Sequence, residues 1–394
     1  MEVKQIYTLM NSVSNEVLGK TDIVKEDLTG IVDMGTEIFN QSAVDNYVKS
    51  LVNHIGKVVF VNRPYSGKVP SVLMDSWEFG SVLEKISADV PQAEENETWN
   101  LKDGTEYKQD VFHKPTVTAK FFNSKVTFEV PVSITEKQVR ESFSTAAQLN
   151  GFLSMIYTAV DKSMTIKTDA LIMRTINNMI AETLEADKKA FGWVETTHET
   201  VDYATASTVR CVNLLRLYNE MTGLHIEKDV AITTPDFIRF AAYQMGLYAD
   251  RMGSISTLFN VGGKERFTPK DSLHTVLLSD FAKAAQAYLY ADTYHNEQVL
   301  LPTSETVPSW QASGKDFAFE NTSKIDVKSA SGATVSIDGV LGVMFDRDSL
   351  GVTNLDKRVT TNYNAKAEFY NNYYKFDCGY FNDTNENFVV FFVA

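Results

Sequence analysis

Cysteine is nearly absent. Two in 394 residues, Cys211 and Cys378, give no disulfide framework and no metal cluster, which fits a reducing compartment. Glycine (20) and proline (9) are too scarce for a collagen-like or low-complexity fibre. No window approaches the roughly 20 apolar residues that a bilayer crossing needs. The opening stretch MEVKQIYTLMNSVSNEVL, with Glu2 and Lys4, has no apolar core followed by small residues and so does not match a signal peptide. Basic charge is also in short supply. Lys and Arg total 37 against 51 Asp and Glu, a net charge of −14. That excludes a nucleic-acid coat, because binding polyphosphate needs a basic stripe. The 44% apolar and 22% charged composition is that of a globular chain with a sizeable core, not of a disordered one. The length suggests two or three domains, or one elaborated domain.

The acid is unevenly placed. Residues 75–110 hold ten acids (Asp75, Glu78, Glu84, Asp89, Glu94, Glu95, Glu97, Asp103, Glu106, Asp110) and three bases (Lys85, Lys102, Lys108). Their net of −7 is half the charge of the chain in under a tenth of its length. The same stretch, from Arg63 to His113, is turn-rich yet carries Trp77, Phe79, Trp99, Tyr107 and Phe112. It runs into TVTAKFFNSKVTFEVPVS, where Val126, Phe128 and Val130 alternate with Thr127, Glu129 and Pro131 as in a strand. We read 63–131 as a long excursion whose ends meet near 57–62 and 125–131. An isolated hairpin is marginal in water, so such an excursion should rest on a partner surface.

Elsewhere the periodicities are more regular. Residues 1–40 read as an arm. From Gln41 to Ile55, Val44, Tyr47, Val48, Leu51, Val52 and Ile55 form one helical face with Ser42 as a cap, and KVVFVN (57–62) follows as a strand. Thr135 with Gln138 has the spacing of a capping box. Leu149, Phe152, Leu153, Ile156, Tyr157, Val160 and Met164, then Leu171, Met173, Ile176, Met179, Ile180 and Leu184, repeat at three and four. A helix unbroken over 145–184 would span ~60 Å, and a break near residue 166 is equally acceptable. Residues 188–300 alternate: a helix over Thr205–Met221 that includes Cys211, a strand at Asp229–Thr233, a helix opening at Thr234-Pro235-Asp236, and a strand at His274–Leu278. The tail turns to β, with a turn signal at Asp338-Gly339, crowded aromatics from Tyr363 to Phe381, and FVVFFV (388–393) as a buried final strand.

Chemistry is hard to find in this pattern. Gly19-Lys20-Thr21 lacks the earlier glycine of a phosphate loop, where Ser14 stands, and Gly263-Lys264 is followed by Glu265. Histidines 54, 113, 198, 225, 274 and 295 are scattered, with no metal-ligand spacing. Cys211 and Cys378 read as small core residues. Glu94/Glu95 has no apolar pocket sequence around it, and Asp346/Asp348 brackets Arg347 as turn chemistry. Only Lys366 and Lys375 interleave the aromatic tail, so core packing is a better reading there than base stacking. No catalytic, cofactor-binding or metal-binding residues are assigned.

The order of elements nevertheless resembles a known family. An arm, a short helix, a long acidic excursion, the junction KVTFEVPVSITEKQVRESF into a very long helix, an inserted α/β lobe and a β tail resemble the major capsid protein of tailed bacteriophages, the Hong Kong 97 fold. VDMGTEIFNQSAVDNYVKSLVNHIGKVV (32–59), FHKP (112–115), LNGFLSMIYTAVDKSM and the Asn-Tyr-Tyr run near 371–374 are similar to capsid proteins of small, protein-primed, short-tailed phages of Gram-positive bacteria. The resemblance implies an α+β fold with an N-terminal arm and short helix (1–56), an extended loop (57–131), a peripheral domain with a spine helix (132–187), an axial domain (188–300) and peripheral return strands (301–394). It implies a structural protein and not an enzyme: a subunit that self-assembles into hexamers and pentamers of an icosahedral shell around double-stranded DNA, without sequence-specific binding. A portal protein at one vertex and a separate scaffolding protein are implied partners, the arm being too short to carry a fused scaffold. The C-terminal immunoglobulin-like domain of some relatives is not found in this sequence, and the Lys–Asn cross-link of the founding member has no matched pair of positions. Trp77, Phe79 and Trp99 are the candidate anchors of the loop on a neighbour. An encapsulin-like compartment and a soluble α+β hydrolase are the rival readings. The virion, assembled in a host cytoplasm, is the expected location, with no membrane association.

Overall fold

The computed structural model describes residues 11–12, 15, 68–74, 82–91, 93–107, 112–135, 146–192, 202–290, 303–311, 316–329 and 331–394. The expected arm, the helix over 41–55, the strand at 57–62 and the residues Trp77 and Phe79 lie outside these, as does Gln138. Two compact units divide the chain: Met1–Glu78, Lys125–Ile172 and Val352–Gly379 form the first, and Phe79–Ser124, Met173–Gly351 and Tyr380–Ala394 the second.

The first unit is built on a four-stranded sheet. In chain order its strands are β1 (Leu73–Met74), β4 (Lys125–Thr135), β11 (Leu350–Asn364) and β12 (Phe369–Asn382), arranged β1-β11-β12-β4. β4 is an edge strand, and this is why Pro131, which cannot donate to a ladder, is accommodated opposite Tyr373. The alternation expected at Val126, Phe128 and Val130 is observed: these are half-buried while Lys125, Thr127 and Glu129 face water. Across the exposed positions Arg358 pairs with Asp377 at 2.7 Å, and Lys375 with Glu129 at 3.3 Å. Thr135, read as a helix cap, is the last residue of β4.

The long helix, α1 (Ala146–Ala186), is 41 residues and unbroken. The polar patch near residue 166 does not interrupt it; Thr165 and Thr168 satisfy their hydroxyls within the helix, donating back to the carbonyls of Asp161 and Met164, both at 3.0 Å. Residues of α1 up to Ile172 belong to the first unit and the remainder to the second, where Ile176, Met179, Ile180 and Leu184 are buried.

The second unit centres on a five-stranded mixed sheet made from β5 (Cys211–Asn213), β6 (Leu273–Leu278), β7 (Glu305–Val307), β10 (Val340–Asp346) and β13 (Phe388–Phe392), in the order β5-β13-β10-β6-β7. β13 lies inside the sheet, parallel to β5 and antiparallel to β10. All five of its residues are buried, as a strand covered on both faces requires. Helices α2 (Leu214–Thr222), α4 (Pro235–Met252) and α5 (Ser279–Tyr290) supply Leu215, Phe237, Ile238, Met245 and Phe281 to the core that includes Leu277, Met344 and Phe391. Pro235 opens α4 in its first turn, as expected. Gly339, between β9 (Thr334–Ile337), which pairs with β8 (Ile325–Lys328), and β10, has φ +82, and a Cβ there would stand 2.1 Å from the carbonyl oxygen of Val393. Only glycine fits a left-handed turn pressed that closely on the end of the chain.

Two readings need correction. The helix expected over 205–221 begins only at Leu214, and Cys211 is in β5, paired with Val390. Asn213 ends the strand and caps the helix, its side chain accepting from the Arg216 N–H at 3.1 Å. The strand expected at Asp229–Thr233 is a helical turn, α3 (Lys228–Ala231). Local partners take its backbone: the Val230 carbonyl accepts from both the Thr233 and Thr234 hydroxyls at 2.9 Å and from the Thr233 N–H at 3.0 Å, and the Ala231 carbonyl accepts from the Thr234 N–H at 3.1 Å. The sheet of β5 and β6 also takes in β7, β10 and β13 from beyond residue 300.

Candidate functional site

Part of the acidic excursion is a hairpin in the second unit, formed by β2 (Leu83–Ala88) and β3 (Val117–Phe122). Its register places Leu83 opposite Phe122, Lys85 opposite Lys120 and Ser87 opposite Thr118 on the half-buried face. Glu84, Ile86, Ala88, Val117, Ala119 and Phe121 alternate with these and are exposed. Two like charges directly opposite each other destabilise a ladder. Here they are answered by the turn between β12 and β13, residues 383–387.

Asp383 lies between the two lysines. Lys85 donates to its Oδ2 at 3.0 Å and Lys120 to its Oδ1 at 2.9 Å. Lys85 also donates to Glu386 at 2.8 Å and to the Asp348 carbonyl at 3.0 Å. Glu386 in turn accepts from Arg266 at 3.3 Å. The Asp383 side chain is 3% exposed, against 21% for Lys85 and 35% for Lys120. Burial alone would raise the Asp383 carboxyl, but the Lys120 hydrogen bond and the Lys85 charge outweigh it and hold it below the usual carboxylate range. Condensation of a lysine with a carboxyl to an amide needs a neutral amine and a protonated acid. A carboxyl held ionised between ammonium groups is an ion-pair clasp, not a cross-linking site. Phe122 adds a ring contact with Phe381 at 5.1 Å.

The loop after α4 joins the same turn. Gly262 N–H donates to the Thr384 carbonyl at 2.9 Å, Asn260 reaches Asn387, and Lys264 pairs with Asp89 of the hairpin at 3.3 Å. Glu182 of α1 stands near Lys120. Burial raises its pKa, Lys120 lowers it and Glu185 raises it, for a net upward shift. A raised carboxyl pKa means the folded state prefers the proton, so stability falls as pH climbs through that range. Glu182→Gln is therefore expected to raise the urea midpoint modestly at pH 7, with the gain shrinking below pH 4.5; an equal gain at both pH values would contradict this.

The sequence candidates are placed as follows. Trp99, in a short 3-10 turn over Glu97–Trp99, is 94% exposed, and Phe112 is 86% exposed. Glu94 and Glu95 face solvent. Asp346 and Asp348 form a turn, with the Asp348 N–H donating to the Asp346 side chain at 2.9 Å. Cys211 and Cys378 are free and buried. Burial pushes the Cys211 thiol up, and Cys378 up to about 12, the opposite of an activated thiolate. Gly263 is a turn glycine with φ +63. No grouping of His, Cys, Asp and Glu among the described residues could hold a metal ion, and no described helix is long and apolar enough to cross a membrane. The clasp itself was not anticipated. The lone signal for it was that Lys85 is one of only three bases in the most acidic stretch.

The hairpin is thus held at its foot and turns large apolar side chains to water. A family model described as Phi29-like phage major capsid protein matches residues 10–392. The chain belongs to this family. It is thus a structural subunit of a self-assembling phage shell, and its place is the capsid of the virion. The described residues have the α+β architecture that the element order implied. No curated protein matches the chain. Among solved structures, the capsid of Staphylococcus phage Andhra is 10% identical over 85% of this chain and 86% of that one, with a TM-score of 0.44. The capsid of cyanophage P-SCSP1u is 10% identical over 85% and 90%, with a TM-score of 0.43. The mature capsid of bacteriophage PhiM1 is 8% identical over 85% and 89%, with a TM-score of 0.40. Likenesses this low carry no further argument. Family membership sets aside both the encapsulin-like compartment and the soluble hydrolase.

Proposed function

We propose that this phage major capsid protein is a non-enzymatic shell subunit of a small, protein-primed, short-tailed phage of Gram-positive bacteria. It assembles in the host cytoplasm as hexamers and pentamers, with a separate scaffolding protein and a portal protein at one vertex. In this reading residues 1–56 are the N-terminal arm and short helix, 57–131 the extended loop, and 132–187 the start of the peripheral domain, with α1 as its spine. Residues 188–300 and the strands that join their sheet form the axial domain, and the rest of 301–394 returns to the peripheral domain. The net charge of −14 keeps the shell from adhering to the double-stranded DNA it encloses.

The observation that carries the reading is the hairpin arm. Its foot is clasped to its own chain while Trp99 and Phe112 beyond it are almost fully exposed. Isolated apolar side chains on a surface need no explanation, but large aromatics on an extended arm are what dominates interface energetics. The arm lies over the spine helix and peripheral sheet of a neighbouring copy, and many modest contacts of this kind sum to a stable closed shell. Replacing residues 90–115 by a short Gly-Ser linker keeps Lys85 and Lys120 in place. The expected product is a folded subunit with unchanged far-ultraviolet circular dichroism that forms no shells by negative-stain microscopy with scaffold supplied. Normal shells from this variant would refute the role of the arm.

A further inference from the structure

The loop of residues 253–268 is built like a small platform. Its neck is closed by the Thr268 N–H donating to the Met252 carbonyl at 2.7 Å, and a rung joins Ser256 and Arg266 through two backbone bonds of 2.9 and 3.1 Å. Phe259 anchors it in the core against Tyr248, and Asn260, Gly262 and Arg266 tie it to the turn at 383–387. On this rigid base Ile255, Leu258 and Phe267 are 59%, 58% and 53% exposed. Arg251, stacked over the Tyr248 ring at 5.6 Å, stands at its edge and is exposed. Of the bases around it, Lys264 pairs with Asp89, Arg266 with Glu386 and Lys270 with Asp250, while Arg251 is exposed and held by the Tyr248 ring, so Arg251 is the cation offered to a partner.

The outward face of the hairpin has the complementary composition: Ile86, Val117 and Phe121, 64%, 58% and 64% exposed, with the exposed Glu84 opposite Phe121. The two patches cannot meet within one copy. Lys85 and Lys120 turn the other face of the hairpin to the very turn that holds the loop, so the outward face points away from it. We propose that the platform of one copy receives the outward hairpin face of the next, with Arg251 meeting Glu84. Two different patches in contact make a head-to-tail interface, which closes into a ring when the rotation allows, whereas a self-matching patch would give a two-fold dimer. Six or five such contacts would complete one ring of the shell. This rests on the self-assembly reading above, in which the arm beyond the hairpin lies over the neighbour's spine helix and sheet, and adds a separate receiving surface for the hairpin itself.

The test is a charge swap, read as shell yield by sedimentation with scaffold supplied. Arg251→Glu and Glu84→Arg are each expected to lower the yield about tenfold, with circular dichroism unchanged, since both residues are exposed and one good interfacial charge pair is worth that much. The double variant should recover most of it. A mixture of Leu258→Cys and Phe121→Cys subunits should give disulfide-linked chains on oxidation in assembled shells, while either alone should not; Cys211 and Cys378 are buried and do not interfere. Normal yield from both single charge variants, or no recovery in the double, overturns the pairing, and so does cross-linking by Leu258→Cys alone. If these fail while loss of 90–115 still abolishes assembly, the arm acts elsewhere and only this platform is wrong. If the shortened arm also assembles normally, the reading beneath it has failed.

Discussion

Asp383→Ala is expected to lower the unfolding free energy of the subunit by about 2–3 kcal/mol at neutral pH. Breaking one side of a buried ion pair costs roughly 3–5 kcal/mol, mostly from charges left without partners. The lower figure applies because Lys85 and Lys120 keep a fifth to a third of their side chains in water, which screens them. The loss should be local as well as global. Without the carboxylate, two ammonium groups face each other across the β2–β3 ladder, so hydrogen exchange at residues 83–88 and 117–122 should accelerate well before the core opens. The pH dependence follows from the sign of the shift. A carboxyl whose folded pKa lies below its unfolded value contributes stability that is fully present above the unfolded pKa and is lost as pH falls through the folded one. The native chain should therefore hold its advantage over the variant from about pH 5 upward and lose it only below about pH 4, the ordinary carboxylate range. Urea unfolding at pH 7 and pH 3 measures both points. Equal midpoints at pH 7, or an advantage that persists undiminished at pH 3, would mean that Asp383 does not hold the arm. Asp383→Asn, which keeps the volume and can still accept from one lysine, should fall between.

The elements that could be read from sequence are those in which neighbours along the chain decide the outcome. α1 is legible in two halves, because apolar residues recur at three and four on either side of the patch near residue 166, and β4 because its exposed and half-buried positions alternate residue by residue. β13 declares itself through five consecutive apolar residues that only a doubly covered strand would bury. Where pairing partners are distant, the local pattern fails. β5 has three residues and exists because β13, nearly 180 positions later, lies parallel to it, so Cys211 and Val212 look helical until that partner is known. The clasp is the extreme case: Lys85 and Asp383 are 298 positions apart, and nothing local marks either as belonging to the other. The acidic excursion stands out by its charge and aromatics, but the device that fixes the foot of its β2–β3 hairpin depends entirely on the folded second unit.

Phe391→Ala should have the largest effect on the subunit itself, about 4 kcal/mol. Phe391 is fully buried, meets Tyr248 edge-on at 5.4 Å, and belongs to the core shared by the sheet and helices α2, α4 and α5. Phe-to-Ala changes in such sites cost roughly 3–5 kcal/mol, and the upper part of that range applies where the surroundings cannot close on the cavity. β13 is hydrogen-bonded to β5 on one side and β10 on the other, and the Val393 N–H is held by the Gly339 carbonyl at 2.9 Å, so the strand has little freedom to move inward. The comparison that gives this number meaning is Phe121→Ala. The same side chain is removed there from a site 64% exposed on the outward hairpin face, where surface substitutions usually change stability by less than about 0.5 kcal/mol. Urea unfolding should separate the two variants by several kcal/mol. Shell yield should not follow the same order: Phe121→Ala is expected to fold normally and assemble poorly, which stability alone cannot produce. A Phe121→Ala subunit that assembles at the native yield would leave the exposed face without a role, and a Phe391→Ala subunit as stable as the native one would mean that the centre of the second unit lies elsewhere than in β13.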